Sequence, residues 1–199
     1  MLNIAVLVSG GGSNLQAMLD AKANGEMADC HFSLVLSNKE NAFALERAKA
    51  KHIPTLVLPK IKGESHEAYG QKLVKALAPY QIDLVVLAGF LVILDKAVIK
   101  TYENKIINVH PSLIPSFCGE GYYGLTVHKE ALARGVKVTG ATVHLVNDIV
   151  DGGKILAQKA VDILADDTPE TLQRRVMEQA EWILLPQVVQ QYAKTRSIP

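Results

Sequence analysis

Residues 2–14 read L-N-I-A-V-L-V-S-G-G-G-S-N, a nearly unbroken apolar run that stops at a serine and three glycines. A strand without polar alternation needs cover on both faces, which is the habit of a parallel sheet in an α/β protein. The glycines close the strand, and Ser13 or Asn14 can cap a helix that follows to about residue 23. Outward from here the rhythm repeats. Strands are predicted over 32–36, 55–58 and 83–87, separated by helical patterns over 42–51 and 64–78. Strands spaced by helices of that length imply βαβ units with helices on both sides of one sheet. The apolar run over 84–94 is 11 residues long. A membrane span needs roughly 20, so the run is read as a buried strand.

Beyond residue 100 the pattern changes. A fifth strand over 105–109 leads into H-P-S-L-I-P-S-F-C-G-E-G-Y-Y-G over 110–124, with two prolines and three glycines. Loops this long in a compact domain are usually functional or disordered. Alternating residues over 138–146 and a further run over 154–161 read as half-buried strands. Thr168 and Pro169 open a last helix to about residue 192, and Pro186 should kink or divide it. The expected fold is a Rossmann-like, open, mostly parallel twisted sheet with helices on both faces and later strands partly antiparallel. One domain over 1–199 is expected.

With 199 residues, 49% of them hydrophobic, the chain can bury a core without metal or disulfide support. A net charge of +1 argues against a broad nucleic-acid surface. Cys30 and Cys118 have neither zinc-like nor C-x-x-C spacing. No basic segment precedes the first apolar run, so no export signal is read and a cytoplasmic, reducing location is expected. Neither membrane nor nucleic acid is an expected partner.

Three constellations carry chemistry. The S-G-G-G-S-N turn joins strand to helix, where backbone N–H groups can surround an anion. Position 15 is Leu rather than the third glycine of a dinucleotide fingerprint, and no G-K-[ST] follows, so a single phosphate fits better than NAD or ATP. In I-I-N-V-H-P-S, strand alternation puts Asn108 and His110 on one face at the end where open α/β sheets hold ligands. An amide and an imidazole there can bind a carbonyl oxygen and move protons. N-D-I-V-D-G-G offers a carboxylate: Asp151 beside His110 would favour the imidazolium and raise its pKa, and Asp148 is its rival. Thr142 and His144 share one face of their strand, as site supports or as satisfied polar positions. His128 reads as a surface helix residue, and no compact ligand spacing suggests a metal.

Taken together, V-S-G-G-G-S-N-L-Q-A, L-A-G-F-L-V-I-L, I-N-V-H-P-S-L-I-P-S-F, G-A-T-V-H-L-V and D-G-G-K-I-L-A-Q resemble the folate-dependent formyltransferases. The opening S-G-x-G-S-N is similar to the glycinamide ribonucleotide branch. The resemblance covers essentially the whole chain. It implies formyl transfer from 10-formyltetrahydrofolate to the amine of glycinamide ribonucleotide in purine synthesis, by a monomer or weak homodimer and without a metal. Residues 1–100 would form the phosphoribosyl-binding half and 101–199 the catalytic and folate half. Gly12, Ser13 and Asn14 would hold the ribotide phosphate, and Glu181 would meet the ribotide near its glycinamide. Leu91, Val92, Ile93, Leu94 and the loop from Val146 to Asp151 would line the pterin pocket. Asn108 would hold the formyl oxygen, His110 would handle the proton and oxyanion, and Asp151 would tune the histidine. The chain departs from bacterial relatives in contacts to the folate's glutamate tail: they carry arginine where it has Val92 and another basic residue where it has His66. The loop over 116–128 is longer than the shortest family versions. Two other readings compete: a formyltetrahydrofolate hydrolase, which would carry an extra N-terminal domain that Met1, beside the first strand, leaves no room for, and a noncatalytic ribotide-binding domain.

Overall fold

In the computed structural model, which describes residues 1–196, the opening run forms β1 (Leu2–Val8) at the centre of a seven-stranded sheet. The other strands are β2 (Cys30–Ser37), β3 (Thr55–Val57), β4 (Leu84–Leu87), β5 (Ile106–His110), β6 (Val138–Leu145) and β7 (Ile155–Asp162). Their order is β3-β2-β1-β4-β5-β6-β7. The first five are parallel, whereas β5–β6 and β6–β7 are antiparallel. The last three residues of the predicted 1–199 domain lie outside the described residues.

The two-residue period of the strands sorts side chains into two core layers. Ile4, Val6 and Val8 of β1, with Leu84 and Val86 of β4, pack on α1 (Ser13–Ala23), α2 (Phe43–Lys49), α6 (Pro169–Val176) and α7 (Trp182–Thr195). Ala5 and Leu7, with Val85 and Leu87, pack on α3 (His66–Leu77) and α4 (Lys96–Thr101). The remaining helix, α5 (Leu125–Arg134), follows the long loop. No helix of the described residues is long and apolar enough to cross a membrane.

Four local readings change. The run over 84–94 is a strand only to Leu87, because Gly89 takes φ +74 and turns the chain out of the sheet. Leu91 and Ile93 are then exposed instead of buried. Neither Ser13 nor Asn14 caps α1: the cap position is Gly12, at φ +71 and without a side-chain cap bond. A β-carbon there would stand 2.5 Å from that of Ala44, so only glycine fits. Pro186 lies inside α7, and the division of the last helix comes earlier, in a π turn at Met177–Glu181. Finally, α4 was not expected, although Asp95 caps it by accepting from the Ala97 N–H at 2.8 Å.

Strand order reverses between β1 and β4, the switch point of the sheet, where the two following loops part and leave a crevice. Ser9 ties those loops, accepting from the Leu91 N–H at 2.8 Å and donating to Asn38 Oδ1 at 2.6 Å.

Candidate active site

A cleft of about 600 Å³ opens at this crevice. Its walls come from the β4–α4 loop, the end of β5, the 119–124 loop, the β6–β7 turn and the π turn. Because β5 runs through residue 110, Asn108 and His110 share a face, opposite His144 and Thr142 of β6 respectively.

Asp151 joins them. Its Oδ2 stands 3.5 Å from His110 Nδ1 and accepts from the Gly119 N–H at 2.8 Å, and its Oδ1 stands 3.5 Å from His144 Nε2. Asp148 lines the cleft but has no bond to either histidine, so the choice left open by spacing falls to Asp151. Burial works against the Asp151 charge, but its polar contacts, the Gly119 N–H among them, outweigh it and hold the carboxyl below its usual range. His110 donates from Nε2 to the Phe117 carbonyl at 2.9 Å. Two residues that touch it, Phe117 (φ +49) and Asp151 (φ +55), take left-handed backbone. Each such conformation costs about 1–3 kcal/mol, and strain of this kind collects at functional sites.

Asp151 does favour the His110 imidazolium, but the expected rise of its pKa above the ordinary value does not hold. Burial is the largest influence and pushes the imidazole below its ordinary value; Asp151 and the Phe117 carbonyl offset it only in part, and His144 lowers it further. The shift favours the neutral ring, the form that can accept a proton.

Thr142 fastens the long loop to the sheet. Its hydroxyl donates to the Ser112 carbonyl at 2.6 Å and accepts from the Ile114 N–H at 3.1 Å and Gln158 Nε2 at 3.0 Å. The 119–124 segment beyond lines the cleft with Tyr122 and Tyr123, so this loop forms one wall of the site.

At the other end of the cleft Asn14 Nδ2 donates to Glu181 Oε2 at 2.7 Å. Asn14 Oδ1 is buried without a partner. Glu181 is 6% exposed, and its burial, only partly offset by Asn14, pushes the carboxyl up to about 7. Leu91, Val92, Ile93, Leu94 and Val146 form the apolar wall, with Ile149 and Val150 exposed beside it. Gly12, Ser13 and His66 lie outside the cleft lining. The Ser13 hydroxyl meets Met177 Sδ at 3.7 Å, and His66 Nδ1 reaches the rim through the Ile93 carbonyl at 3.0 Å. Sequence reasoning missed Gln173 and Met177, which the last helix and its π turn bring into the cleft.

His128 is the clear misplacement. It is fully buried in α5, with neither ring nitrogen partnered, and burial together with nearby His110 pushes its pKa down to about 4. The unfolded chain takes this proton near pH 6.5. Stability present above that value is therefore lost as pH falls towards 4, by about 3 kcal/mol. Urea unfolding of the parent and of His128→Leu at pH 7.5 and 4.5 should show this loss as a difference between the two, because the contributions of His110, in the same direction, and Glu181, in the opposite one, are common to both. His128→Leu should be less acid-sensitive than the parent; a variant as acid-sensitive as the parent would overturn the assignment.

An imidazole backed by a carboxylate, with an amide donor beside it, suits proton transfer at a carbonyl whose oxygen the amide holds. The fold and this site thus define an α/β protein of the acyl-transfer class. The formyl transferase family model matches residues 2–189, and the chain belongs to that family. Among curated relatives, it is 40% identical over 195 residues to the phosphoribosylglycinamide formyltransferase of Escherichia coli, covering 98% of this chain and 89% of that one. It is 40% identical over 181 residues to the chloroplastic phosphoribosylglycinamide formyltransferase of Arabidopsis thaliana, covering 88% of this chain. The match spans only 60% of that plant protein's length. The crystal structure of glycinamide ribonucleotide transformylase 1 from Symbiobacterium toebii superposes with a TM-score of 0.91 at 37% identity, covering 98% of this chain and 89% of that one.

Proposed function

We propose that this protein transfers the formyl group of 10-formyltetrahydrofolate to the amine of glycinamide ribonucleotide. The observation that carries the reading is the meeting of Asn108, His110 and Asp151 in one cleft, with an apolar wall on one side and Asn14 and Glu181 on the other. The wall of Leu91, Val92, Ile93, Leu94 and Val146 suits a flat pterin. Position 92 is valine, so there the donor's tail meets apolar surface, and His66, with Lys60 Nζ 3.4 Å from its Nε2, is a basic group near the rim. Gly12 carries no capping side chain, and the first N–H groups of α1, at Ser13 and Asn14, are open to a phosphate. The Asn14 and Glu181 oxygens then accept from hydroxyl or N–H groups of the ribotide.

In the reaction the amine nitrogen bonds to the formyl carbon, whose oxygen becomes negative and takes a hydrogen bond from the Asn108 amide. Neutral His110 accepts the proton that the attacking nitrogen releases, and Asp151 stabilises the imidazolium. The same proton passes to N10 as the carbon–N10 bond breaks, which frees tetrahydrofolate and restores the neutral ring.

The test is formyl-folate consumption with and without the ribotide. Ribotide-dependent loss with formation of the N-formyl product is expected. Loss that ignores the ribotide would make the protein a hydrolase, and no loss would leave a binding domain.

A further inference from the structure

His144 takes no direct part in the chemistry above, yet it is 1% exposed and touches both Asn108 and Asp151. Its Nδ1 lies 2.7 Å from the carbonyl of Leu145. A carbonyl only accepts, so Nδ1 carries the hydrogen, and in the neutral ring Nε2 is left with its lone pair. Asn108 Nδ2 stands 3.1 Å from that nitrogen, closer than the 3.5 Å to the Asp151 oxygen. The pair is held in register by the β5–β6 ladder, where Asn108 and His144 are directly opposed.

We infer that His144 is a positioning residue that sets the orientation of the Asn108 amide. A chain of single choices runs from the backbone to the cleft: the Leu145 carbonyl selects the tautomer, and the tautomer selects which end of the amide turns to the ring. One Asn108 N–H is then spent on Nε2, and the other is free to donate to a carbonyl oxygen in the cleft. A ring with hydrogen on Nε2 would draw the amide oxygen instead and turn the N–H groups away. Asn and its amide cannot make this choice alone, since the two ends of the group have the same shape.

The inference rests on the formyl-transfer reading for its kinetic arm only. Its first test needs no substrate: a long-range proton–nitrogen correlation spectrum of the wild-type protein at pH 8 reads the tautomer of each histidine. His144 is expected in the Nδ1–H form; an Nε2–H ring or an imidazolium overturns the inference even if formyl transfer is confirmed. The second test is a double-mutant cycle on turnover. His144→Leu removes the acceptor and should lower kcat by tenfold or more in the wild-type background, with little change in KM for the ribotide. In the Asn108→Ala background the same substitution should cost less than twofold, because nothing is left for His144 to orient. His144→Gln, which brings a carbonyl oxygen to the same side, should recover part of the loss and serves if the leucine variant does not fold. Equal costs in both backgrounds would assign His144 a purely structural role. Absence of ribotide-dependent turnover in the wild type would instead remove the formyl-transfer reading, and the spectrum would still decide the tautomer.

Discussion

Asp151→Asn should lower kcat about 10³-fold while the protein stays folded and the KM for the ribotide changes little. The substitution is nearly isosteric, so its effect comes from charge and from the polarity of one atom. Gly119 N–H needs an acceptor at the Oδ2 position, where the carboxylate takes it at 2.8 Å. The amide oxygen of the variant therefore goes there, and its N–H2 takes the Oδ1 position facing His144 Nε2. Two things follow. His110 loses the negative charge that stabilises its imidazolium, the state it must reach when it accepts the amine's proton. The new amide also competes with Asn108 for the one lone pair of His144. Removing one donor from an oxyanion site typically costs about 10²–10³ in rate, and here the proton acceptor is weakened as well. Because both effects belong to the transition state, kcat and kcat/KM should fall together. Retention of a tenth of the activity or more would show that Asp151 does not support His110.

How far the sequence could be read depends on the range of the forces involved. The βαβ half was legible because burial on both faces leaves a local imprint: the unbroken Ile4–Val8 run and the Leu84–Leu87 run each register in the chain itself. Asn108 and His110 were legible for the same reason, since a period of two fixes their common face. The choice of Asp151 over Asp148 was not, because it is made by the Gly119 N–H and two histidines on other segments. His128 was misjudged because a single polar residue on a helix does not reveal what covers it. In α5 it is buried together with Val127 and Ala131. Stopping the 84–94 strand at Leu87 depends on Gly89 turning at positive φ, a choice that a glycine permits but does not announce. The direction of the His110 shift was missed for a general reason: the charge partner can be guessed from a motif, whereas the desolvation that outweighs it is a property of the whole fold.

Glu181→Gln should make the free protein more stable above pH 7 by about 3 kcal/mol while weakening ribotide binding at least tenfold. The carboxyl is 6% exposed, has one hydrogen-bond donor, Asn14 Nδ2, and holds its proton up to about pH 7. In the unfolded chain the same group ionises near 4.5. Its folded pKa is the higher one, so its contribution is complete below pH 4.5 and is lost as pH rises through 7. At pH 8 the folded protein holds a buried carboxylate that glutamine would replace with a neutral group of the same shape. The gain should shrink through neutrality and vanish below pH 4.5, which urea unfolding at pH 4.5, 6 and 8 can follow. Calorimetric titration at pH 8 should show the opposite sign for the ligand. The charged oxygen is the better acceptor for ribotide hydroxyl or N–H groups, and a hydrogen bond to a charged group is worth about 1.5–3 kcal/mol. The site thus keeps a charge that the fold would be more stable without. A glutamine variant with unchanged stability at pH 8 would mean that water reaches this carboxylate in the free protein. A variant that bound the ribotide as tightly as the parent would remove Glu181 from the binding site.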